Sequence, residues 1–226
     1  MLEVRLNCFI DETGQDDMSS DVYLITLVFH EHAEPLDKAM SAYESRLSDR
    51  GLSDVPFHMV DLLHGHGDYE GLDPAQRKPM LYAFATFVRT LPVTYATLRF
   101  DASSTGGRSG LESHIRKAVS DLIFSRLERF QVYDEIAVYY DGGSAVVGKA
   151  VRAAFDFALA RNVASYRKPV YAKRRLLQAA DYLTSIELVA IRYDQGRQSK
   201  TYERFFGTRN NLKRNLLKPA RRLKVA

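Results

Sequence analysis

The chain reads as an α/β fold: a mixed five-stranded sheet flanked by helices, with a helical insertion between the second and third strands. Three observations lead there. The first two extended runs, Leu2 to Ile10 and Val22 to Phe29, follow one another with only a polar loop between them, as in a hairpin. Strand-like and helical segments then alternate from Val93 onward, the pattern of β-α-β units. Several of the strand-like runs also end in an acid followed by small or polar residues.

Leu2 to Ile10 alternates, with Val4, Leu6, Cys8 and Ile10 on one face and Arg5, Asn7, Phe9 and Asp11 on the other. Val22 to Phe29 is almost continuously β-branched and aromatic, as in a strand buried on both faces. Leu36, Ala39, Met40, Tyr43 and Leu47 recur at helical spacing, and Gly51 marks that helix's end, so a helix is expected over 34–50. Phe57 to Asp61 leads into a loop of His64, Gly65, His66, Gly67 and Asp68. Asp73-Pro74 opens another helix, as N-cap and first position, which runs to Pro92.

The third strand spans Val93 to Phe100 and ends at Asp101; Ala102 to Gly110 reads as a loop and Leu111 to Phe130 as one long helix. Ile136 to Tyr140 is the fourth strand, ending at Asp141-Gly142-Gly143. A helix over 146–160, a weaker fifth strand over 163–172 and a helix over 176–191 complete the body. Residues 1–195 are read as one domain, with the insertion at about 31–92, and 196–226 as a basic helical tail.

In open α/β sheets ligands gather beyond the carboxyl ends of the strands. Strand four is expected parallel to strand one, so Asp11 and Asp141 become neighbours at one edge. Carboxylates brought together repel unless they share a proton or a cation, and oxygen donors suit Mg²⁺ or Mn²⁺. A third acid is expected from Leu177-Gln178-Ala179-Ala180-Asp181, where Asp181 interrupts an apolar helix stripe and two alanines allow close approach to the sheet. A buried carboxylate is costly unless paired or bound to metal. The competing explanation for Asp181 is an ion pair with Lys173, Arg174 or Arg175.

Asp11-Glu12-Thr13-Gly14 closing a first strand, Tyr140-Asp141 closing a later one, and Leu177-Gln178-Ala179-Ala180-Asp181 on the last long helix together resemble domain-of-unknown-function family 3800, of the ribonuclease H-like superfamily. His58 with Asp61 is similar to that family's H-x-x-[DE] after the second strand, Asp101 stands where a strand-three acid often occurs, and Phe205-Phe206-Gly207 resembles its closing aromatic-glycine piece. Thr13 replaces the more usual serine. The resemblance implies a ribonuclease H-like sheet carrying a divalent-metal phosphodiesterase site. Asp11, Asp141 and Asp181 would be metal ligands, with Glu12 as a further catalytic carboxylate that strand alternation turns away from Asp11. His58, Asp61, Asp101, Gln178, Lys173, Arg174 and Arg175 are the candidate substrate contacts.

Nine basic residues and one acid lie from Lys200 to the end, +8, leaving −4 on the rest of a chain whose net charge is +4. That asymmetry points to a polyanion, with nucleic acid the commonest. The lone cysteine, Cys8, excludes a disulfide framework and reads as a core residue, consistent with a reducing cytoplasm. No secretion signal or membrane-spanning run is read. His58, His64 and His66 lack a cysteine partner at zinc-site spacing. The expected function is therefore a metal-dependent nuclease. An inactive nucleic-acid-binding or defence-complex module is the alternative. A haloacid-dehalogenase-type phosphatase is the third reading, since Asp11-Glu12-Thr13-Gly14 also matches D-x-T-G after a strand, although the later acidic pair is missing.

Overall fold

The computed structural model describes residues 4–15, 20–159, 163–167 and 171–225, the side chains of 108, 109 and 171–174 excepted. Strands β1 (Arg5–Thr13), β2 (Val22–Glu31) and β3 (Val93–Asp101) form an antiparallel meander. β4 (Glu135–Tyr140) lies parallel to β1, and β5 (Ala164–Arg167) parallel to β4. The sheet order is β3-β2-β1-β4-β5. The predicted hairpin, the crossover and the mixed five-stranded sheet are all present.

Between β2 and β3 lie α1 (Asp37–Asp49), α2 (Met59–His64), a single 3₁₀ turn and α3 (Pro74–Val88). Asp73 caps α3 as predicted, in a reciprocal capping box with Gln76. The insertion has one more helix than expected: Met59 to His64 is α2 rather than the start of a loop. Leu62 and Leu63 bury against the core, and Gly65 ends the helix in the left-handed conformation.

After β3 come α4 (Ala102–Thr105), α5 (Gly107–Phe124) and α6 (Leu127–Phe130). The loop expected over 102–110 is thus mostly helical, and the helix expected over 111–130 is broken. Arg126 leaves helical geometry at φ −135°, ψ 27°, which turns the chain so that Phe130 meets Phe29 edge to face. α7 (Ala145–Ala158) joins β4 to β5.

α8 (Tyr171–Asp194) starts five residues before the expected Leu176. Tyr171 and Ala172, read from the sequence as the end of the fifth strand, belong to this helix. β5 lies at the sheet edge, paired to β4 among the described residues. α9 (Lys200–Phe206), α10 (Arg209–Leu212), a π turn and α11 (Lys218–Arg221) close the chain.

Strand alternation divides the core in two. Leu6, Cys8, Ile10 and Val138 pack under α5 and α7, through Ile115, Val119, Val147, Val151 and Phe155. Phe9, Val28, Ala137 and Tyr139 pack on the other face with α1, α3 and α8. Cys8 is buried, as predicted, and burial raises its thiol pKa far above the ordinary range. The basic tail is docked rather than free: Leu212, Leu216 and Ala220 are buried, and backbone bonds from Tyr95 to Leu223 and from Val225 to Tyr95 cover the exposed edge of β3.

Candidate active site

The β1–β4 ladder runs in register from Arg5↔Glu135 to Ile10↔Tyr140. One step further the same register sets Asp11 beside Asp141. Asp141 is close enough to raise the Asp11 carboxyl pKa, and alternation along β1 puts Asp11 on the side of Phe9, whose ring stacks on Tyr139 at 4.8 Å. This is the face that α8 covers. Ala179 and Ala180 are fully buried there, which lets α8 approach closely and bring Asp181 to the strand ends.

The resulting field is adverse to negative charge. Burial, first of all, and then Asp181, Glu12 and Asp141 push the Asp11 carboxyl well above the usual carboxylate range. Asp181 is raised from an ordinary 3.8 to about 6, chiefly by burial. The Met59 backbone N–H, donating to Asp181 Oδ2 at 2.8 Å, His58 and the Ser185 hydroxyl hold that value down, while Asp61 works against them. Ser185 donates to Asp181 Oδ1 at 3.2 Å, and the Gly143 N–H donates to Asp141 Oδ1 at 3.2 Å.

Among the described residues, no ion pair is formed by Asp11, Asp141 or Asp181. The expected cationic partner of Asp181 is engaged elsewhere. The Arg175 guanidinium is buried, pairs with Asp54, donates to Gln178 Oε1 at 3.0 Å and lies over the Tyr43 ring. Arg175 and Gln178 are thus bonded to each other within the fold rather than presented to a substrate. The Lys173 and Arg174 side chains lie outside the described residues.

Glu12 behaves as alternation dictates. β1 continues through Thr13 rather than ending at Asp11, so Glu12 turns to the opposite face. There Tyr140 donates its hydroxyl to Glu12 Oε1 at 2.7 Å. The carboxylate still reaches the strand ends, because a Cβ on Gly143 would stand 2.8 Å from Glu12 Oε1 and 3.8 Å from Asp141 Oδ1. A side chain at 143 would displace one or both acids.

The insertion delivers the second pair. Phe57 stacks on Phe84 at 3.9 Å and meets Tyr182 edge to face, which anchors the segment entering α2. His58 then sits beside Asp181, its Nδ1 2.8 Å from Asp61 Oδ2, with both side chains partly open to solvent. Asp101 is not brought in. It lies two strands away from β1, past the level at which Asp11 pairs with Thr26 and Thr26 with Thr97, and it is held by Arg99 at 2.7 Å. The Met59 N–H, which any residue would supply, carried no sequence signal, and Tyr140, read from the sequence as a strand-packing residue that could also stack on a base, reaches Glu12 with its hydroxyl through the sheet register.

Oxygen-only donors crowded around a half-buried Asp11 fit a hard divalent cation such as Mg²⁺ or Mn²⁺. Among the described residues no three acids, histidines or cysteines already stand as a metal-binding group. Asp181 and Asp141 accept hydrogen bonds from local N–H and O–H donors.

No protein-family model and no curated protein matches the chain. It is similar to a chain in the structure of the PCNA:RNase HII complex from Archaeoglobus fulgidus, with 13% identity over 87% of this chain and 81% of that one, at a TM-score of 0.45. The chain itself has an α/β fold, a five-stranded mixed sheet flanked by helices. Its order, β3-β2-β1-β4-β5 with β2 reversed against its neighbours, is read from the strands themselves. Among the described residues no helix is long and apolar enough to cross a membrane.

Proposed function

We propose that the protein is a divalent-metal-dependent nuclease, and that it belongs with the domain-of-unknown-function family its motifs resemble. The observation that carries this reading is the crowding of a half-buried Asp11 by Asp181, Glu12 and Asp141 at a sheet edge, with no ion pair formed by Asp11, Asp141 or Asp181 among the described residues. Folding has brought four carboxylates together at one sheet edge. Such a site has a use when a cation and a phosphodiester enter together.

In this reading Asp11, Asp141 and Asp181 hold Mg²⁺ or Mn²⁺, which when bound neutralises charge on the phosphodiester. Glu12, oriented by Tyr140, accepts the proton of the attacking water. His58, oriented by Asp61, donates a hydrogen bond to a phosphate oxygen. Among the tail cations, Arg209 pairs with Asp194, and Arg221 and Lys224 pair with Glu187. Lys213, Lys218 and Arg222 border an open groove and form no ion pair among the described residues, so they hold the strand backbone. The work is done in a reducing cytoplasm.

The test is cleavage of labelled single- and double-stranded RNA and DNA with Mn²⁺, using wild type and Asp11→Asn. Cleavage is expected to fall at least about a thousandfold in the variant, with an unchanged circular dichroism spectrum. Undiminished cleavage by Asp11→Asn removes the assignment.

A further inference from the structure

Besides the acid edge, the molecule has a cavity of about 210 Å³ on the other face of the sheet, between β4, β5 and α7. Val138 and Val151 form its apolar part, the Tyr140 and Tyr166 rings line it, and Arg152 and Arg167 complete the lining. Its size suits one planar ring system rather than a drug-sized ligand.

Three features mark it as built for a ligand. Gly148 lines it from within α7, where glycine costs helix stability relative to alanine. Packing does not demand that glycine: an added Cβ would meet only the Tyr140 ring, at an ordinary 3.5 Å. The effect of glycine here is open space over an aromatic face. Second, the Arg152 guanidinium lies 4.0 Å over the Tyr166 ring, and the Tyr166 hydroxyl is held by Asp156 Oδ1 at 3.0 Å and the Arg152 carbonyl at 3.1 Å. Arg152 is exposed and forms no ion pair among the described residues, whereas Arg167 is committed to Glu135. Third, the cavity shares a wall with the acid edge, because Tyr140 both lines it and donates to Glu12.

An aromatic-walled slot with a guanidinium at its rim that stacks on Tyr166 and forms no ion pair among the described residues complements a flat base joined to a phosphate. We propose that this cavity binds one nucleotide of a single-stranded polynucleotide, its base between Tyr140 and Tyr166 and its phosphate on Arg152. This rests on the nuclease reading for its substrate class. It adds that the enzyme takes unpaired strands, because a base reaches the cavity only when it is out of a duplex stack.

The probe is adenosine or uridine 5′-monophosphate, added at millimolar concentration without metal and followed by amide chemical shifts. Saturable shifts at Gly148, Val151 and Tyr166 are expected, lost in Gly148→Leu and weakened about tenfold in Arg152→Ala. A labelled single-stranded oligonucleotide is expected to bind at least about tenfold less tightly to either variant, while a duplex of the same sequence is unaffected. Arg152, being exposed, guards against misreading a folding defect in Gly148→Leu. Absence of shifts at the cavity, or single-strand binding unchanged in both variants, overturns the proposal, and Mn²⁺-dependent cleavage lost in Asp11→Asn then still stands for the acid edge. Cavity shifts without any cleavage by wild type support the cavity and overturn the nuclease reading instead.

Discussion

Asp181 and Glu187 are six residues apart on α8, both largely removed from water, and the fold treats them in opposite ways. Glu187 accepts hydrogen bonds from the Tyr95 hydroxyl at 3.0 Å and from Arg221 at 2.6 and 3.1 Å, with Lys224 at 3.5 Å. Burial pushes its pKa up, yet the Arg221 bonds and the two cations leave it below the ordinary value of 4.5. Asp181 has one backbone N–H and one hydroxyl, and its pKa stands at about 6. A carboxylate that serves structure is neutralised by the chain itself. One that the chain crowds with other acids is a candidate for function.

The contrast gives variants of opposite sign. Glu187→Ala removes the acceptor that ties Tyr95, Arg221 and Lys224 to α8, and is expected to cost about 3 kcal/mol in urea unfolding. A loss below about 1 kcal/mol would mean that the tail docks through its leucines alone. Asp181→Asn is expected to stabilise the metal-free protein by about 2 kcal/mol at pH 8. The folded pKa of Asp181 is raised, so its favourable contribution is complete below pH 3.8 and is lost as pH rises through about 6. The gain from asparagine should therefore shrink to nothing near pH 4, and a gain independent of pH would contradict the assigned cause. Glu187 runs the other way. Its contribution is present above pH 4.5 and is lost as pH falls through its lowered folded value, so wild type should approach Glu187→Gln in stability as acid is added.

Added Mn²⁺ should raise the melting temperature of wild type and of Glu187→Gln alike, and do so much less for Asp181→Asn, as read by calorimetry. Equal shifts in all three would place the ion away from α8. The smallest expected effect is that of Tyr140→Phe, which deletes the hydrogen bond to Glu12 at a cost of about 1 kcal/mol. A thermal denaturation series resolves that change, and a gain in stability would show that the bond is strained.

Much of this site was readable along the chain because a strand has a period of two. Asp11 follows Phe9 onto one face and Glu12 follows Ile10 onto the other: Phe9 and Ile10 pack in the cores on opposite faces, and Glu12 meets Tyr140. A carboxylate set in an apolar helix stripe beside two alanines likewise pointed to close approach between α8 and the sheet. The segments read wrongly are those where competing local preferences are settled by packing. Leu62 and Leu63 made α2 out of an expected loop, and the Phe130 contact with Phe29 accompanies the break after α5.

Partner choice was the part out of reach. Arg175, a cation near Asp181 in the sequence, bonds to Gln178 three positions on and pairs with Asp54, 121 residues away. Asp101 had the right place at a strand end and the wrong strand. Tyr140 reaches Glu12 across 128 residues, and Arg221 reaches Glu187 across 34. Local chemistry along the chain settled which residues are acidic, which face each strand residue takes and where cations accumulate. Only the closed sheet and the docked tail decided that Glu187 receives cations and that Asp181, with Asp11 and Asp141, receives none among the described residues. The reason is physical: ion pairing depends on ångström separations between distant segments, and those separations exist only after the β1–β4 register and the crossing of α8 are set.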